Sequence, residues 1–143
     1  MRVSEAMTRE VRVANPGQSI REVAKIMAEI DAGAMPVGDN DRLVGVVTDR
    51  DITIRCVADG HDPRTDHVSD AMTPEVFYCF DDNDVTDAAE LMRDKQVRRL
   101  PVLNHDKKMV GIVALGDLAV ENGNEQLAGH ALEGISAPSS PMR

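Results

Sequence analysis

The chain has 143 residues, 42% of them apolar and 29% charged, and a formal net charge of −9. A chain of this length buries about 70% of its unfolded surface, enough for one compact domain or two small halves sharing a core. No apolar run approaches the ~20 residues of a membrane span, and the acidic field opposes nucleic acid, whose binding rests on Lys and Arg neutralising phosphates. Phe77, Tyr78 and Phe80 are the aromatic residues available to stack on bases, and they share one short run. The opening MRVSEAMTREVRV carries no stretch like a signal peptide, so a cytoplasmic location is expected.

Val11 and Val13 alternate with polar residues as a short strand does, and NPGQS then breaks the chain with turn formers. A helix follows. Ser19 with Glu22 makes a capping box, Ile20, Val23, Ala24, Met27 and Ile30 recur on one helical face, and Gly33 ends the pattern. AMPV and RLVGVVT read as strands joined by a turn at Asp39 to Asp41, and from Asp51 the helical pattern returns with Ile52 and Ile54. The stretch ADGHDPRTDH, residues 58–67, is polar and turn-rich. Beyond it Asp84 caps a second helix with Val85, Ala88, Ala89 and Met92 inward, and RLPVL and MVGIVA are again strands. The tail GISAPSSPMR has the composition of a disordered end and is expected to carry no structure.

The second half repeats the first. At an offset of 65 positions VSEAMTREV (3–11) lies over VSDAMTPEV (68–76) with seven of nine residues identical, and SIREVAKIM lies over DVTDAAELM. MPV lies over LPV, the register slips by one residue in the polar turn, and VGVV resumes over VGIV. The order is βαββα, twice, and two copies imply a pseudo-symmetric module rather than a solenoid, which needs about three or more repeats. The expected organisation is a first repeat over residues 1–60, a linker over 61–67, a second repeat over 68–122 and a short C-terminal extension over 123–143 whose end is disordered.

A tandem of βαββα units with an MT opening, an hPV strand and a GhhTxxD strand-to-helix junction resembles the CBS domain family, named for cystathionine beta-synthase, over residues 3 to about 122. The resemblance implies a mixed α and β fold, α+β or α/β, in which two CBS repeats pack through their sheets about a pseudo-two-fold axis, a so-called Bateman module. The cleft between such repeats can take adenosine-containing ligands: AMP, ADP, ATP, NAD or S-adenosylmethionine. No covalent cofactor is implied. Nor is an enzyme, since no nucleophile and base pairing is legible and the family rarely catalyses by itself.

A nucleotide needs an acceptor for its ribose hydroxyls, donors for its phosphates and an apolar slot for its base. An ionised Asp51 can accept from both ribose hydroxyls, and Thr48, three residues earlier at a helix start, sets a hydroxyl beside free backbone N–H groups. By resemblance Thr48 and Asp51 are phosphate and ribose contacts, with Val46 and Arg50 lining the site. The same T-x-x-D pattern is also a plain helix cap. Asp117 keeps the acid in the second copy although Ala114 has replaced the hydroxyl, so the acid needs its own reason, as an N3 residue or a ribose acceptor.

Arg98 and Arg99 fit either a solvated basic pair near a helix C-terminus or a phosphate site. The resemblance makes them face Thr48 and Asp51 from the other repeat, with Val76 and Phe77, expected on the second repeat's first strand, flanking the base. The same crossing gives Asp117 only Gly33 and Ala34, the positions matching Arg98 and Arg99, so one phosphate-competent site per chain is expected. Cys56, His61 and His67 match no standard zinc spacing, and Cys56 and Cys79 read as small buried hydrophobes. The expected partners are an adenine nucleotide and a second copy of the chain, since amphipathic helices are left over once the sheets pair; nucleic acid and membrane are not expected. The rival is a ligand-free CBS dimer that serves as an interaction scaffold.

Overall fold

The computed structural model describes residues 1–74, 76–120 and 125–138. They form two compact units, one of Arg12–Val76 and one that joins Met1–Val11 to the chain from Phe77 onward. The units cut the chain differently from the sequence repeats. The MT opening of each repeat folds with the strands of the other repeat.

In the 12–76 unit, helix α2 (Ile20–Ile30) starts where Ser19 Oγ accepts the Glu22 N–H at 3.1 Å. The polar stretch before residue 68 supplies more capping acceptors: the Ile20 N–H donates to Asp66 O and the Arg21 N–H to Pro63 O. Ile20, Val23 and Met27 are buried as their spacing predicts, but Ile30 is 40% exposed. The helix closes before Gly33, at Asp31, which takes the left-handed conformation (φ 52°, ψ 47°) that a short polar side chain tolerates at a C-cap.

Strands β1 (Ala34–Asp39) and β2 (Arg42–Thr48) pair antiparallel from Ala34↔Thr48 to Asp39↔Arg42. Asn40 and Asp41, at φ 50° and 66°, form the two-residue turn whose twist suits a hairpin. The strand expected at Val11 and Val13 does not form. Only Ala14 bridges to Val37, because Asn15 and Gln18 turn the chain at once through Gly17 N–H to Asn15 Oδ1 and Asn15 N–H to Gln18 Oε1. After one α turn, α3 (Asp49–Asp51), the helix widens to π geometry over Ile52–Val57, with the Ala58 N–H reaching back to Thr53 O. Arg55 then donates from Nη1 to Met72 O at 2.8 Å and Ala71 O at 3.3 Å, tying down the second MT segment.

The two-segment unit repeats the plan. Its one-turn helix α1 (Val3–Ala6) leads into Thr8, which bridges Ile112, as Thr73 bridges Val46 in the 12–76 unit. Strand β3 is only Cys79–Phe80 and runs parallel to β4 (Arg99–Leu103), which pairs antiparallel with β5 (Met109–Ala114). Helix α4 (Val85–Lys95), capped by Asp84, buries Val85, Ala88, Ala89 and Met92 as expected and ends on a left-handed Gln96. Val3, Leu100, Val113 and Leu118 join them in the core.

One glycine in each repeat makes the MT docking possible. A Cβ on Gly45 would lie 2.7 Å from Met72 Sδ and 2.9 Å from Thr73 O; on Gly111 it would lie 2.7 Å from Met7 Sδ and 2.8 Å from Thr8 O. The repeated VG(V/I)V and AMT motifs are thus two halves of one contact.

The C-terminal extension is more ordered than its composition predicts. After α5 (Leu115–Val120), helix α6 (Glu125–Ser136) buries Ala128, Ala131 and Ile135 and packs on α4 and α5. Gly134, expected to open an unstructured tail, lies within this helix, and Arg93 passes where a side chain at that position would be. Gln96 Nε2 donates to Gly134 O at 3.2 Å and Ala137 O at 2.6 Å, fixing the helix end. The tail beyond residue 138 lies outside the described residues.

Candidate functional site

Thr48 and Asp51 realise the capping pattern in full. The Asp51 N–H donates to Thr48 Oγ1 and the Thr48 N–H to Asp51 Oδ2, each at 3.0 Å. Both groups are half-buried, and each keeps capacity for a ligand: the Thr48 hydroxyl still has its proton to donate, and Asp51 still has its Oδ1. Asp117 keeps half of the box, its Oδ2 accepting the Ala114 N–H at 2.8 Å. Capping is therefore reason enough for an acid without its hydroxyl partner.

Arg98 and Arg99 are exposed at the start of β4, and among the described residues neither forms an ion pair or a side-chain hydrogen bond. Arg99 stands opposite Ala114 in the β4–β5 register, and Arg98 O accepts the Leu115 N–H at 2.8 Å. A cavity of about 310 Å³ opens here, lined by both arginines, Ala114, Leu115, Gly116 and Leu132. The 12–76 unit has the same backbone arrangement, with Ala34 opposite Thr48 and Gly33 O accepting the Asp49 N–H at 3.0 Å. Its cavity of about 410 Å³ is lined by Met27, Ala28, Asp31, Gly33, Asp49 and Ile52 among others, with no cation in the lining. The structure thus sets the arginines beside the Ala114–Asp117 junction of their own repeat, and Thr48 and Asp51 beside Gly33 and Ala34. The two halves of the expected phosphate site belong to different units.

The other expected lining residues vary in position. Val46 is half-buried on β2, and both its backbone groups are taken by Thr73. Arg50 is exposed on the first turn of α3. Val76 and Phe77 are not on a strand, because pairing with β4 begins only at Cys79. Val76 is half-buried, and Phe77 is exposed with Lys95 Nζ 5.0 Å from its ring centroid. Leu132 was not legible as a site residue. Its only signal is the spacing of Ala128, Ala131 and Ile135, which marks a helix but not what its outer edge touches.

Both cysteines are buried free thiols, as expected. Burial pushes the Cys79 thiol up to about 12 and also raises that of Cys56, so neither is a nucleophile near neutral pH. His61 is engaged with Asp66, its Nδ1 lying 3.1 Å from Asp66 Oδ2, while Cys56 Sγ points to His61 O at 3.6 Å.

The CBS domain family matches residues 3–57 and again 68–121. The chain belongs to the CBS domain family. It is 42% identical over 134 residues to the CBS domain-containing protein YhcV of Bacillus subtilis, covering 94% of each chain. Among solved structures it is similar to a hypoxic response protein with two coordinated zinc ions, with a TM-score of 0.77 and 33% identity, covering 83% of this chain and 97% of that one. CBSX2 in complex with AMP gives a TM-score of 0.74 at 28% identity, covering 87% and 98%. The fold is a pair of CBS repeats, and no helix among the described residues is long and apolar enough to cross a membrane.

Proposed function

We propose that the chain is a regulatory CBS pair that binds an adenosine-containing ligand, AMP, ADP, ATP, NAD or S-adenosylmethionine, in the cytoplasm and catalyses no reaction itself. The observation that carries this reading is Arg98 and Arg99 at the mouth of a cavity, neither paired among the described residues. Two guanidinium groups with no carboxylate partner among the described residues, in a chain of net charge −9, are placed to attract an anion that the wider field repels. The AMP bound to CBSX2 supports a nucleotide as that anion. By the CBS resemblance, Asp51 of the 12–76 unit is assigned as a ribose acceptor and Thr48 as a phosphate contact, with Val46 and Arg50 beside them. The 12–76 unit has no cation equivalent to the arginines, so one phosphate-bearing ligand binds per chain.

Thermal shift with the five ligands at millimolar concentration tests the reading. A bound ligand stabilises the native state by about 2.7 kcal/mol at a hundredfold excess over its dissociation constant, so the melting temperature rises. No shift with any of them leaves the scaffold reading in its place.

The protein is also expected to be a homodimer. Ile30, Ile54 and Val57 of the 12–76 unit are 40%, 44% and 71% exposed, apolar side chains that association could cover. Light scattering at micromolar concentration should give twice the monomer mass; a stable 15.6 kDa species contradicts it.

A further inference from the structure

Away from the arginines, two tight turns of the two-segment unit bring Asp81, Asp82 and His105 together, with one donor atom from each within 4.8 Å of the others. We propose that these three side chains form a binding site for a divalent transition-metal ion of the class that accepts imidazole and carboxylate together, such as Zn²⁺, Ni²⁺ or Co²⁺.

The backbone holds the ligand-bearing turns in place. Asn83 Oδ1 accepts the Phe80 N–H at 2.8 Å, closing the turn that carries both aspartates. Asn104 Oδ1 accepts from the Asp106 and Lys108 N–H groups, each at 3.0 Å, closing the turn that carries His105. The Asp81 N–H donates to Leu103 O at 3.0 Å and joins the two turns. The His105 ring stacks on Phe80, centroids 5.0 Å apart and planes within 10°, with Nε2 2.6 Å from Asp82 Oδ2. Ring and carboxylate are therefore oriented before any ion arrives.

Charge and spacing favour a metal over a simple ion pair. His105 needs one carboxylate, yet a second, Asp81, stands beside it, and neither Lys107 nor Lys108 from the same turn pairs with either aspartate. A protonated imidazole with two carboxylates leaves one negative charge, whereas a divalent ion with a neutral imidazole cancels both. Metal–ligand bonds of about 2.0–2.1 Å place tetrahedral donors about 3.3 Å apart. Asp82 and His105 thus have to separate by less than about 1 Å, which exposed side chains do readily. Water completes the coordination.

The test uses the full chain, stripped with chelator and titrated with Zn²⁺ by calorimetry, and with Co²⁺ followed by NMR of the histidine rings. One equivalent of Zn²⁺ should bind per chain, with Co²⁺ broadening centred on His105. His105→Asn and Asp82→Asn should each lower affinity at least about tenfold. Both positions are exposed, so circular dichroism should show the variants folded. Absence of Zn²⁺ binding, unchanged affinity in both variants, or broadening centred on His61, His67 or His130 overturns the proposal.

Discussion

Gly111→Ala should destabilise the protein by about 1–3 kcal/mol, a fall of several degrees in melting temperature, and Gly45→Ala should do the same. The added methyl group would stand 2.8 Å from Thr8 O in one case and 2.9 Å from Thr73 O in the other, closer than Cβ atoms approach backbone oxygen. The methionine sulfur at 2.7 Å can swing away, because thioether side chains are flexible. The carbonyl cannot, because it is bonded in a two-way bridge: Thr8 O to the Ile112 N–H at 2.9 Å and Thr73 O to the Val46 N–H at 3.0 Å. Relief therefore means lifting the MT segment off its sheet and exposing buried Val3 and Ala6, or Val68 and Ala71. The same substitution at Gly129, where no atom lies within 4 Å of an added Cβ, should instead stabilise helix α6 by about 0.4–1 kcal/mol. The Gly45 and Gly111 contacts share no residue, so the double variant should lose about the sum of the two. Chemical denaturation reads all four. Equal effects at Gly111 and Gly129 would mean that MT docking is not what these glycines are for.

Those contacts also mark where sequence reasoning stops. The repeat, both capped helices and both hairpins were legible because their causes are local: Ser19 and Asp84 cap within three residues, and strand alternation is set by the pleat. The exchange of MT segments has no local cause. Gly45 and Gly111 signal a close approach, but only the fold says that the approaching backbone comes from the other repeat's opening. Val11 and Val13 alternate like a strand, yet a strand needs a partner, and the turn at Asn15 leaves room for a single bridge at Ala14. Gly33 looked like the end of α2, but Asp31 reached the left-handed conformation first. Helix α6 was hidden by the Gly, Ser and Pro content of its end, since composition does not show that Gly134 makes room for Arg93. At the site, the residue types were legible and the neighbours were not: the register that sets Arg99 opposite Ala114 follows from the hairpin rather than from the motif.

Arg99→Ala should lower affinity for a phosphate-bearing nucleotide by about 10- to 150-fold, the equivalent of one charge-assisted hydrogen bond of about 1.5–3 kcal/mol. Arg99 has no protein partner among the described residues, so removing it strands no buried charge, and the loss measures the ligand contact itself. The ribose acceptor needs a subtler comparison, because Asp51 and Asp117 both cap helices and alanine at either would also remove that cap. Asparagine avoids the difficulty: its carbonyl oxygen can still take the bond from Thr48 N–H or Ala114 N–H, while the carboxylate's capacity to accept from both ribose hydroxyls is lost. Asp51→Asn should therefore weaken binding strongly and Asp117→Asn far less, with similar apo stabilities. Calorimetric titration of the three variants should also return one phosphate-bearing nucleotide per chain. If Asp117→Asn is the damaging change, and its effect is non-additive with Arg99→Ala, the arginines work with the junction beside them in their own unit and the ribose belongs to Asp117. Unchanged affinity in Arg99→Ala, or two equivalent nucleotides per chain, would remove the arginine pair from the site altogether.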